Sequence, residues 1–87
     1  MITTTIEIKY FVKNFRENNI ASEVYGILID NKLGPPRSVH TSFWESRSCE
    51  ETRYIFDGNI KLSCVSDKLK LEERLGIKLD SLKITHR

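Results

Sequence analysis

Four side chains in this sequence belong to the types that bind zinc or act as nucleophile and base: His40, Cys49, Cys64 and His86. Structural zinc sites normally take their ligands from close pairs such as Cys-x-x-Cys. Here the shortest separation, between His40 and Cys49, is nine positions (49 − 40). This spacing argues against a metal site, and we expect neither a metal nor another cofactor.

Cys49 and His40 could also act together as a thiol nucleophile and its base. That chemistry requires the two side chains within hydrogen-bond reach and a third group that orients the imidazole. The sequence establishes neither condition, and its four isolated glycines form no phosphate-binding loop. We therefore expect no catalytic residues, and a small Cys/His enzyme is the third of three functional hypotheses.

A second candidate site mixes aromatic and basic residues around Trp44. Alternation from residue 39 to about 45 predicts a strand with Phe43 inward and Trp44 on a polar outer face. Trp and Arg are enriched among the anchors of protein interfaces. In the alternative interpretation, Trp44 closes the edge of the core. The sequence thus predicts a partner-binding surface, with candidate residues Arg37, His40, Trp44 and Arg47.

The stretch from Lys9 to Arg16 also interleaves basic and aromatic residues. Aromatic side chains on a sheet, flanked by cations, can stack unpaired bases while the cations neutralise phosphates. This pattern supports the second hypothesis, single-stranded RNA or DNA binding. The alternative is that Tyr10 and Val12 belong to the core.

Hydrophobic periodicity predicts the elements that position these residues. Residues Ile2–Val12 alternate and predict a strand with even positions inward. Residues 23–30 are apolar on both faces and favour a central strand antiparallel to the first, with Gly26 at a bulge or at a close approach of another backbone. Pro35 and Pro36 then fix an extended loop.

Residues 51–65 favour a β-hairpin, because Asp57-Gly58 separates two β-branched, aromatic-rich runs. A three-residue loop that ends at Asn59 places Tyr54 opposite Leu62 and gives one continuous apolar face. The alternative is a helix over residues 49–56, since Ser48 to Glu51 fits a capping box.

The segment from about 67 to 75 predicts a helix that Ser66 or Asp67 caps and Gly76 ends. Its apolar side would hold Leu69, Leu71 and Leu75. Residues 82–86 alternate and predict a closing strand. Together these elements predict an α+β fold, with residues 1–87 forming a single compact domain. We expect a small antiparallel β-sheet of five or six strands with one main helix packed on one face.

Composition limits the function classes. The net charge is +2, from 14 basic and 12 acidic residues, which argues against an acidic nucleic-acid mimic and gives no support to a strongly basic DNA binder. No leader peptide or membrane-length apolar run is visible. Two cysteines without an export signal favour reduced thiols and a cytoplasmic location.

These observations lead to one first hypothesis: a small non-enzymatic binding module. We expect an intracellular regulator or inhibitor that acts through protein–protein contact, with a protein as its partner and no membrane. Nucleic-acid binding is the alternative. An exposed edge strand could pair two copies into a homodimer.

Overall fold

The computed structural model describes residues 2–11, 20–31, 34–44, 46 and 48–87. Its four-stranded antiparallel sheet has the order β2-β3-β1-β4, which with two helices is the split βαβ or ferredoxin-like topology. The predicted α+β class is confirmed, but these residues form four strands rather than five or six. The elements are β1 (Thr3–Phe11), α1 (Ile20–Asp30), β2 (Ser38–Trp44), β3 (Cys49–Asp57), a 3₁₀ turn (Ser63–Val65), α2 (Lys68–Leu75) and β4 (Leu79–His86).

Strand β1 lies in the middle of the sheet, between β3 and β4. Within Thr3–Phe11 the alternation gives one fully buried face and one partly exposed face, as predicted. Ile2, predicted to point inward, is 50% exposed, and Val12 lies outside the described residues. The buried side chains are those at even positions: Thr4, Ile6, Ile8 and Tyr10.

The prediction of a central strand over residues 23–30 was wrong, because the segment is the helix α1. Its buried residues recur at helical spacing, at Ile20, Val24, Ile27 and Leu28. Tyr25 and Ile29 lie on the exposed side of the helix. Because they are apolar as well, the sequence resembled that of a strand with two apolar faces. Gly26 lies inside the helix and marks no bulge.

Strand β3 is confirmed as a strand rather than a helix, but the predicted hairpin is wrong. It pairs with β1 and β2, whereas residues 59–62 are irregular and lead to the 3₁₀ turn. The buried hydroxyl of Thr4 explains why the chain leaves the sheet after β3. It donates a hydrogen bond to the carbonyl of Gly58 (2.8 Å) and accepts one from the amide of Ile60 (2.8 Å). Because of these bonds, the chain after Gly58 turns away from the sheet and toward the side on which the helices pack.

Helix α2 is confirmed with its predicted ends. Asp67 caps the amides of Leu69 and Lys70, and Gly76 follows the last turn with φ of 72°. Leu69 was predicted to lie on the apolar side of this helix. That prediction was wrong, because its side chain is 74% exposed. The closing strand is also confirmed, starting three residues earlier than predicted (82 − 79), at Leu79.

Both helices lie on one side of the sheet, where the core forms. The hydroxyl of Tyr54 on β3 donates to the carbonyl of Ala21 on α1 at 2.6 Å, which places α1 over β3. On β2, Val39 and Phe43 lie on the same side but are 41% and 38% exposed, so the predicted burial of Phe43 is only partial. None of the helices in the described part of the chain is long and apolar enough to span a bilayer.

Candidate functional site: the open face of the sheet

The side of the sheet opposite the helices carries the candidate site, and we call it the open face. Cross-strand pairing places its residues in rows. One row at the end of the sheet runs from Phe11 through Cys49 to Trp44. The next row contains Lys9, Glu51 and Ser42, and the one after it Lys83, Glu7, Arg53 and His40.

The end row is apolar on a face that is otherwise polar except for the half-buried Ile55. Phe11 is 59% exposed and Trp44 is 42% exposed, whereas Cys49 between them is buried. Strand spacing puts the two aromatic backbones about 10 Å apart. An open cavity of about 620 Å³ lies here, and we call it the aromatic corner; its lining residues are Lys9, Phe11, Trp44, Ser46, Cys49 and Asp80.

Lys9 joins the aromatic corner to the charged rows. Its Nζ lies 5.4 Å from the centroid of the Trp44 ring, within range of a cation–π interaction. The same Nζ lies 3.8 Å from Oε2 of Glu51. The ammonium group of Lys9 therefore has both an aromatic and a carboxylate neighbour within the protein.

Arg53 is the second cation of the open face, and two carboxylates engage it. Its Nε donates to Oε1 of Glu51 at 3.2 Å and lies 3.9 Å from Oε1 of Glu7. Across the four strands, the open face carries three fixed cations and four carboxylates. The cations are Lys9, Arg53 and Lys83, and the carboxylates are Glu7, Glu51, Asp57 and, at the aromatic corner, Asp80. The face is therefore close to electrically neutral.

The structure separates the predicted partner-binding residues. Trp44 and His40 share the open face, as predicted, but His40 lines a different hollow with Ser42, Glu51, Arg53 and Ile55. Arg37 stands at the other end of β2, seven positions from Trp44 (44 − 37), or about 23 Å. Its Nη1 lies 3.3 Å from Oδ1 of Asp57. Arg47 lies outside the described residues.

The structure does not bring Cys49 and His40 together. Cys49 pairs with Trp44, and His40 is four positions away along β2 (44 − 40), or about 13 Å. Cys64 lies in the 3₁₀ turn, and its partial burial raises the pKa of its thiol. Within the described residues, no three His, Cys, Asp or Glu side chains cluster closely enough to hold a metal ion.

Sequence reasoning missed Lys9, Phe11 and Asp80 as neighbours of Trp44. Lys9 and Phe11 belong to the basic-aromatic stretch that the sequence singles out, and their odd positions place them on the outer side of β1. Their approach to Trp44 depends on β3 lying between β1 and β2. That pairing joins segments far apart in the chain, and no local pattern indicates it.

Comparisons of the chain with protein-family models, curated proteins and solved structures find no match.

Proposed function

We propose that this protein is a non-enzymatic binding module that holds a protein partner against the open face of its sheet. The observation that carries the proposal is the pair of exposed aromatic rings, Phe11 and Trp44, at the end of a mostly polar, ion-paired face. A large aromatic anchor with a polar surround is the usual anatomy of a protein interface. The module would act as a cytoplasmic regulator or inhibitor by occupying its partner's surface.

The aromatic corner suits an apolar anchor from the partner. Phe11 and Trp44 form its apolar walls, while Lys9 and Asp80 supply charge of both signs at its rim. The contact of Lys9 with the indole would restrict the Trp44 side chain before a partner binds. An ordered anchor loses less conformational entropy on binding, which favours affinity.

Single-stranded nucleic acid is the second candidate, and the exposed rings next to Lys9 favour it. Bases can stack on aromatic side chains that a sheet presents. Phosphate binding, however, draws on cations that are free to replace counterions. Lys9 and Arg53 are engaged by Glu51, and Asp80 adds a further negative charge at the corner. We therefore favour a protein partner.

The test compares partner capture by four forms of the protein on a solid support: the parent chain, Phe11→Ala, Trp44→Ala and the matched control Leu69→Ala. Leu69 is as apolar and more exposed, but it lies on α2 and far from the open face. Mass spectrometry identifies the captured proteins. We expect the parent and Leu69→Ala to capture the same partner, and both aromatic variants to lose it. Equal capture by all four forms would contradict the proposal.

A filter-binding titration separates the two candidates. A nucleic-acid module retains single-stranded RNA or DNA at low salt and releases it as salt rises. We expect no retention at any salt concentration. Retention that depends on both Trp44 and Lys9 would establish the nucleic-acid alternative instead.

A further inference from the structure

The two edge strands of the sheet differ in how well they are protected against pairing with another strand. Strand β4 carries Asp80 and Lys83, and its register with β1 shifts at a bulge. Charges and bulges are the usual devices that block edge-to-edge association. Strand β2 has the sequence SVHTSFW, which contains no Lys, Arg, Asp or Glu. Along its seven residues, six side chains are exposed.

Strand β2 is also complementary to itself. If two copies pair antiparallel about Thr41, each Val39 faces Phe43 of the second copy, on the helix side of the sheet. On the open face, His40 faces Ser42 and Ser38 faces Trp44. No like charges meet in this register, and β-branched and aromatic side chains are favourable cross-strand partners. A shift by one residue would lose the match between Val39 and Phe43.

The surface next to β2 offers a place for the incoming phenyl ring. A hollow of about 350 Å³ lies between α1 and β2, and its lining residues are Ala21, Ser22, Tyr25 and Val39. In the antiparallel register, Phe43 of the second copy lies opposite Val39 and on the same face as this hollow. The two-fold axis repeats the contact, so that both rings are covered at once.

We propose that the protein forms a two-fold dimer through β2, which joins two four-stranded sheets into one continuous eight-stranded sheet. The occupant of the edge is a second copy of this chain. The dimer places two aromatic corners on one common surface, at diagonally opposite positions. The inference is independent of the proposed function, because it rests on the edge and the hollow rather than on the corner.

The primary test measures the mass of the parent chain, Thr41→Lys and Thr85→Lys by sedimentation equilibrium across a hundredfold concentration range. Thr41 lies on the axis, so its replacement sets two ammonium groups face to face. We expect the dimer dissociation constant to rise about fivefold or more. The matched control Thr85→Lys makes the same change on the other edge strand, and we expect it to dimerise like the parent.

Cross-linking gives a second measurement that does not depend on how Thr41→Lys folds. In the proposed register, Cys side chains placed at position 41 lie about 5 Å apart across the axis, whereas those placed at position 38 are about 20 Å apart. We expect oxidation to join Thr41→Cys chains above the background of the parent's own cysteines, but not Ser38→Cys chains. A monomeric parent at every concentration, or a dimer that both Lys variants retain, would overturn the proposal.

Discussion

The phenol of Tyr10 donates a 2.7 Å hydrogen bond to Oε1 of Glu50, and both side chains are buried. The Tyr10 oxygen also lies 3.0 Å from the hydroxyl of Thr52. A buried carboxylate needs such donors, because an uncompensated one is costly. This bond joins the two central strands, β1 and β3, next to the end row that carries the aromatic corner.

Replacement of Tyr10 by Phe tests how much this hydrogen bond contributes to the stability of the fold. We expect the free energy of unfolding to fall by about 1–3 kcal/mol, because Glu50 loses a donor that water cannot easily replace. Urea unfolding monitored by circular dichroism measures this change in the free energy of unfolding. Tyr25→Phe removes the same atom from an exposed ring and should change stability by less than about 0.5 kcal/mol. Equal effects in the two variants would contradict this prediction.

Trp44→Ala should separate binding from stability. The indole is substantially exposed, so we expect the free energy of unfolding to fall by less than about 1 kcal/mol, mainly through loss of the Lys9 contact. Partner capture should be abolished. Phe56→Ala, which empties a buried site in the core, should instead cost about 3–5 kcal/mol. A melting shift for Trp44→Ala as large as that for Phe56→Ala would show that the indole is part of the core.

Alkaline pH should destabilise the protein through Tyr54. Burial raises the pKa of its phenol well above the ordinary value, with contributions from Tyr10 and Glu50. Since the folded state holds this proton more tightly than the unfolded state, the stability it contributes is complete below about pH 10 and declines above it. The slope for one such group is about −1.4 kcal/mol per pH unit.

Urea titrations between pH 8 and 11 check this prediction, with Tyr54→Phe as the comparison. The variant is less stable at neutral pH, because it lacks the bond to the carbonyl of Ala21. Its stability should nevertheless fall less steeply above about pH 10, since the group that titrates has been removed. Parallel pH profiles would show that Tyr54 does not cause the alkaline decline.

Two glycines should respond in opposite directions to Ala. Gly26 lies inside α1, and an added Cβ would meet no atom within 4 Å. Gly26→Ala should therefore stabilise the protein by about 0.5–1 kcal/mol. Gly76 has φ of 72° after α2, where Ala should cost about 1–2 kcal/mol. Thermal melting of both variants measures the difference, and a destabilised Gly26→Ala would contradict the helical assignment of residue 26.

The local elements followed from the sequence where local chemistry decides them. Alternation predicted β1 and its buried face, and the residues Asp67 and Gly76 predicted both ends of α2. The helix α1 was missed because Tyr25 and Ile29 make its solvent side apolar as well. A short, uniformly apolar run does not distinguish a strand from a helix.

The long-range pairing did not follow from the sequence. Asp57-Gly58 is a strong hairpin signal, but the buried hydroxyl of Thr4, more than fifty positions away (58 − 4), redirects the chain after it. The same limit applies to the site. The polarity of its strand placed Trp44 on the outer face but left open whether the indole is exposed or closes the edge of the core, and its proximity to Lys9 required the strand order.

The central position of β1 has a consequence for how the chain folds. Its hydrogen-bonding neighbours, β3 and β4, both come much later along the chain: Ile6 pairs with Tyr54 on one side and Ile84 on the other. Contacts of such high sequence separation slow folding, because loops must close before the contacts form. On the ribosome, Ile6 and Ile8 would wait for both neighbours to be synthesised. During this interval the unpaired, apolar face of β1 would favour aggregation.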